Sequence, residues 1–173
     1  VQTFLTRDQV NDIKQKLQKM FDSAKTVTAK HTALQYLVYA MFSLSTMARV
    51  NAVSNVTWKQ INFEERTVED VLEKEGKIVT LYFSTEVRNL LLQLRQFRHD
   101  HQINDNGYVF VAQHAGEESG SPRPATLNKW TKAIGQLINV PTLHPHDWRH
   151  SGSQLMKLAG AELQDISALL NHA

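Results

Sequence analysis

The chain has 173 residues, 19 Lys and Arg against 17 Asp and Glu, eight histidines and no cysteine. This length, with 42% apolar residues, supports one domain with a real core; the lack of cysteine excludes disulfides and thiolate metal sites, no run of 18 apolar residues offers a transmembrane helix, and nothing signal-like opens the chain. A net charge of +2 is far from a polycation, so a nucleic-acid partner requires the positive charge to be gathered on one face.

Thr6-Arg7-Asp8-Gln9 reads as a capping box, and Val10, Ile13, Leu17 and Met20/Phe21 follow at helical spacing. A second, more apolar helix is predicted over 28–44, with Tyr36 and Tyr39 as core aromatics. The stretch 45–53 leaves that helix and begins a short new one that ends near Thr57. Arg49 sits there among small and apolar neighbours, so it is expected low and partly buried, where a guanidinium needs an anion from the protein or from a ligand.

The period changes to two over 58–63, 67–72 and 78–83, which predicts three short antiparallel strands joined by turns at 64–66 and 74–77. Ser84 or Thr85 caps a helix through Val87, Leu90, Leu91, Leu94 and Phe97. A turn at 104–107 leads to a short strand at 108–111, and 113–124 reads as a loop. Thr126 caps a helix through Leu127, Trp130, Ile134, Leu137 and Ile138, which carries Lys129 and Lys132 close to Arg123.

Leu143-His144-Pro145-His146-Asp147-Trp148-Arg149-His150 then opens a helix, with Pro145 in its first turn. His146 and Arg149 fall one turn apart on the same face, an arrangement that suits an anion such as phosphate. Leu155, Met156 and Leu158 are expected inward, Gly160 ends the helix, and a last helix covers 162–170.

Arg49, a lysine on the 74–77 turn, His146-x-x-Arg149 and Leu169-Leu170-Asn171-His172, taken in order, resemble the catalytic domain of the tyrosine recombinases, the phage integrase family. Thr46-Met47-Ala48-Arg49 stands where that family has Thr-Gly-x-Arg. His146-Asp147-Trp148-Arg149-His150 stands at His-x-Leu-Arg-His, and His172 follows the second arginine by 23 residues, where the family has Leu-Gly-His. The resemblance runs over essentially the whole chain. It implies an α+β fold, mainly α-helical with a small three-stranded antiparallel sheet, the tyrosine recombinase (DNA breaking-rejoining) catalytic fold.

It also implies a site. Arg49 and Arg149 would clamp the scissile phosphate, whose transition state gains charge that fixed cations stabilise. Lys74 would be the general acid for the leaving 5′ oxygen, with Lys77 the alternative on the same turn. His146 would act as general base or hydrogen-bond the phosphate, and His172 would hydrogen-bond it. His150 supports helix packing, and Trp148 replaces an apolar residue in the core. Lys59, Lys77, Arg123, Lys129 and Lys132 are the candidate DNA contacts. No cofactor and no metal is implied, since the arginines supply the charge and the histidines at 144, 146 and 150 make a weak ligand pattern. The partner is double-stranded DNA at specific recombination sites, bound by a homotetramer that is a monomer free in solution. The setting is cytoplasmic and nucleoid-associated, in a bacterial or phage-encoded mobile element.

Two departures stand out: Ala52 replaces the acidic residue that follows the first arginine, and Met47 replaces a glycine. The family's nucleophilic tyrosine lies about nine residues beyond the position of His172, and Tyr36, Tyr39, Tyr82 and Tyr108 fall on core helix or strand positions. The expectation is therefore a catalytic domain over 1–173 that lacks the N-terminal core-binding domain and the C-terminal tyrosine segment and is inactive in this form. The alternatives are a DNA-binding module of the same fold that does not cleave, and a helical interaction protein with no catalytic role.

Overall fold

The computed structural model describes residues 3–112 and 120–171, with side chains described as far as residue 160. Helix α1 spans Arg7–Ser23; Thr6 accepts from Gln9 N–H while the Gln9 side chain takes the Thr6 N–H, so the capping box forms. Helix α2 spans Val27–Thr46 and starts one residue earlier than its apolar pattern suggests, because Thr26 caps it through Ala29 N–H. It is the central element: α1, α4 (Thr85–Asp100), α5 (Pro124–Leu137), α6 (Pro145–Asn171) and β3 (Ile78–Tyr82) all pack on it. Its residues from Ala33 to Leu44, all buried except the half-buried Tyr36, form the middle of the core.

A short helix α3 (Val50–Asn55) leads into the sheet, which has the order β1-β2-β3 with both pairings antiparallel. The sheet is smaller than expected. Trp58–Gln60 form a 3-10 turn, leaving β1 only Ile61–Asn62, because Thr57 and Gln60 make a second capping box where a strand was expected. Strand β2 (Thr67–Leu72) pairs with β3 through Val68–Leu81 and Val71–Val79, so Glu69 and Asp70 together oppose Thr80 in a bulge, with Asp70 at φ 55°.

Residues 108–111 do not form a strand. Tyr108 makes a single bridge to Thr57, and Ala112, just past the segment, makes another to Gly120; no further pairing is seen among the described residues. Tyr82, expected in the core, is 69% exposed on the outer face of β3, and Tyr36 is half-buried against Trp130.

Ser84 caps α4 through Val87 N–H. Helix α5 starts two residues before Thr126: Arg123 is its N-cap residue and Pro124 occupies the first helical position, where a missing N–H costs nothing. Helix α6 runs unbroken through Gly160, which lies in open space; a glycine in a helix interior costs only about 1 kcal/mol and does not by itself end one. The inward residues of α6 are Asp147, Trp148, Ser151 and Gly152, with Leu155 partly covered. Met156 and Leu158, expected inward, are 60% and 48% exposed. Leu158 continues the Ser151–Leu155 stripe, and no described element covers it.

Candidate functional site

Three chain segments supply the site. The first is the sharp exit from α2. Thr46 returns its hydroxyl to Phe42 O and accepts from Ala48 N–H, and Met47 takes the left-handed conformation at φ 55°. Glycine fits such a cap without strain, so Met47 costs roughly 1 kcal/mol here, and its presence changes packing and not chemistry. The turn delivers Arg49 as the N-cap residue of α3, half-buried as expected. Its Nε is buried and has no hydrogen-bond partner among the described residues. The internal salt bridge that would make Arg49 purely structural is not seen among them.

The second segment is the β2–β3 turn. Lys74–Gly76 form a tight 3-10 turn closed by Glu73 N–H to Lys77 O, with Glu75 and Gly76 both at positive φ. Lys74 and Lys77 are both exposed at its ends.

The third is the first turn of α6. Asp147, 5% exposed, takes the His144 N–H on Oδ2 and the Thr3 N–H on Oδ1, closing the helix start and tying it to the beginning of the described chain. Leu5 N–H donates to Ser151 Oγ one turn later, and the Phe4 ring meets the edge of His150. Gly152 lies so close to α2 that an added Cβ would stand 2.2 Å from Leu44 O. His146 stands exposed on the outer side, its ring stacked 5.3 Å from that of His144.

These segments meet in a cleft of about 640 Å³ whose wall includes Arg49, Lys74 and His146. Of the five expected catalytic residues, three therefore converge. Arg149 is half-buried one turn along α6 and is not among the residues that line the cleft. His172 lies outside the described residues. Of the two candidate lysines, Lys74 faces the cleft and Lys77 does not line it. Lys59, Arg123, Lys129 and Lys132 are exposed, as a DNA contact requires, but none lines the cleft. Among the described residues no cluster of three His, Cys, Asp or Glu could hold a metal, and no helix is long and apolar enough to cross a membrane.

The cleft also contains residues that sequence reasoning missed. Asp70 and Glu73 line it beside Lys74, with Asn51, Asn55 and Gln60. Asp70 is brought there by the bulge, for which strand periodicity carries no signal. Asp147, which does not line the cleft but caps the helix that carries His146, was legible, since an acid three residues into a helix is a capping signature. Chemically, a guanidinium whose Nε has no partner among the described residues, an exposed ammonium and an imidazole around one concavity suit a bound anion of phosphate size.

A profile described as the phage integrase family matches residues 3–173. A search of curated proteins returns no match. Among solved structures, the crystal structure of XerA recombinase superposes with a TM-score of 0.70 at 15% identity, covering 92% of this chain and 53% of that one. XerH site-specific recombinase bound to difH substrate in a pre-cleavage complex gives 0.67 at 15% identity over 92% of this chain and 44% of that one. Its post-cleavage complex with palindromic difH substrate gives 0.69 at 16% over 98% and 46%. The chain thus spans about half the length of these structures, and at such identities they share its mainly helical fold with a small antiparallel sheet.

Proposed function

The chain belongs to the phage integrase family, and from that premise we propose that it is the catalytic domain of a site-specific DNA recombinase, which cleaves and rejoins duplex DNA through a 3′-phosphotyrosyl intermediate. One observation carries the reading: Arg49, Lys74 and His146, far apart in sequence, line one cleft, and the buried Nε of Arg49 has no partner among the described residues. The substrate-bound state of the XerH structures supports a DNA substrate for this chain as well.

In this proposal the phosphodiester sits in the cleft with a nonbridging oxygen on Arg49, and Arg149 completes the clamp from the next turn of α6. Charge that grows on those oxygens in the transition state meets fixed cations in a partly desolvated site. Lys74 protonates the departing 5′ oxygen; it lines the cleft, and its short turn carries it as a movable donor. His146 hydrogen-bonds the phosphate or assists proton transfer. The attacking hydroxyl belongs to a tyrosine expected about nine residues past His172. Four copies assemble on DNA, and no metal or cofactor takes part.

A second reading, a DNA-binding module that does not cleave, draws on Ala52, which lines the cleft beside Arg49 without supplying an orienting carboxylate. A suicide-substrate assay on the full-length protein separates the two. A denaturation-resistant protein–DNA adduct that disappears on Arg49→Ala or Arg149→Ala supports the recombinase. Duplex binding that depends on Arg49 without any adduct supports the module.

A further inference from the structure

Helix α6 carries His146 and Arg149 outward, and its inner side is held by a small polar node deep in the core. Trp148 is 1% exposed, and its indole N–H is shared between Tyr39 Oη at 3.1 Å and Thr131 Oγ1 at 3.2 Å. The two hydroxyls lie 2.9 Å apart, and Thr131 is itself fixed by its bond to Leu127 O at 2.9 Å. One donor thus joins α2, α5 and α6. Around it the Tyr39 ring meets Trp148, Trp130 and Phe110 edge to face, so neither ring can turn without displacing the others.

The other attachments of α6 hold different degrees of freedom. Gly152 against Leu44 O sets how closely α6 approaches α2, and Asp147 and Ser151 fasten the segment at residues 3–5 along it. The Asp147 and Ser151 bonds reach a segment outside the helices, whereas the directional bond from the Trp148 ring ties the rotation of α6 to α2 and α5. At about 100° per residue, Trp148 lies some 160° around the axis from His146 and about 100° from Arg149. With a helix diameter of about 10–12 Å, a rotation of roughly 10° moves a side-chain tip by about 1 Å. A misplacement of that size is enough to degrade a phosphate contact strongly.

We propose that Tyr39, Thr131 and Trp148 form a rotational lock on α6, positioning residues that aim His146 and Arg149 at the ligand held by Arg49. The role at the site rests on the reading of the cleft as a phosphate site; the lock on α6 does not. An apolar residue at 148 would fill the same space without fixing the angle. A hydrogen bond to two acceptors from separate helices fixes both.

The test removes both acceptors while keeping ring volumes, in Tyr39→Phe/Thr131→Val, and compares it with Leu94→Val, a core change on α4. Side-chain NMR signals of His146 and Arg149 are expected to move in the double variant and to stay in place in the control. Coincident signals in the double variant, or equal movement in the control, overturn the lock. The single variants, each leaving the indole one acceptor, give an intermediate displacement and keep the comparison usable if the double variant folds poorly. Binding to a 20-base-pair duplex of arbitrary sequence, by fluorescence anisotropy at low salt, is then expected to weaken several-fold in the double variant. In a His146→Ala/Arg149→Ala background no further weakening follows; an equal loss in both backgrounds overturns the positioning role. Should the unaltered protein not bind the duplex, the functional reading falls, and the NMR comparison still decides the lock.

Discussion

Arg98 donates from Nε to Nε2 of His31 across 2.9 Å, with the two side chains 2% and 0% exposed. The contact holds the imidazole as an acceptor at that nitrogen, stacked on Phe97. The same guanidinium gives Nη2 to Gln35 Oε1 at 2.8 Å and Nη1 to Asp105 Oδ2 and Tyr108 O, so it joins α2, α4 and the segment after α4. Burial lowers its pKa to about 10, with Asp105 offsetting part of that cost.

Replacing Arg98 by leucine removes its hydrogen bonds to His31, Gln35, Asp105 and Tyr108 and takes the cation from the Asp105 carboxylate, whatever is gained by removing a desolvated charge. Loss of one partner from such a network is expected to cost about 3–5 kcal/mol. Arg98→Lys is expected to recover little, because an ammonium cannot match the forked set of acceptors. Urea unfolding followed by circular dichroism measures both; a leucine variant as stable as the parent would mean that the network is energetically neutral.

Gly152→Ala tests the seat of α6 on α2. In an exposed helix interior this change would stabilise by up to about 1 kcal/mol. Here the new Cβ meets Leu44 O at 2.2 Å and Met47 Cγ at 3.0 Å. The backbone oxygen cannot yield as the methionine can, so the sign reverses and a loss of about 1–3 kcal/mol is expected. A raised melting temperature in Gly152→Ala would contradict the close packing.

Arg49→Ala is expected to leave stability unchanged or slightly higher, since a half-buried charge without a partner among the described residues is removed. Duplex affinity should fall, and the slope of log K against log salt should shrink by about one phosphate contact. Arg49→Lys is expected to restore the salt slope but only part of the affinity, because a lysine lacks the bidentate geometry. Anisotropy titrations at several salt concentrations provide the comparison.

Tyr39 makes an alkaline prediction. Burial pushes its hydroxyl up to about 12, with the Thr131 and Trp148 hydrogen bonds pulling partly the other way. The folded value lies above the unfolded value near 10, so the contribution is complete below pH 10 and is lost as pH rises towards 12, roughly 2–3 kcal/mol in all. Wild type should therefore lose stability across that interval more steeply than Tyr39→Phe. Parallel curves from denaturant titrations at pH 9, 10 and 11 would contradict it.

The sequence alone determined those features that depend on neighbours within about one helical turn. Thr6 with Gln9, a Ser84 or Thr85 cap and Pro145 at the start of α6 are local hydrogen-bonding and backbone preferences; the structure forms the first and last as read and takes Ser84 of the two caps. The apolar periodicity of α1, α2 and α4 fixed which faces are buried, and the order of the motifs was enough to identify the family. The tertiary structure decided everything that depends on which surface covers a residue. Met156 and Leu158 are exposed because no described element covers that part of α6, and a 3-10 turn shortens β1. Asp70 joins the cleft only because a bulge displaces it. Arg49, Lys74 and His146 meet because the turn at Met47, the β2–β3 hairpin and the Gly152 contact place three segments around one space. Local chemistry sets each element, and long-range packing sets how the elements meet.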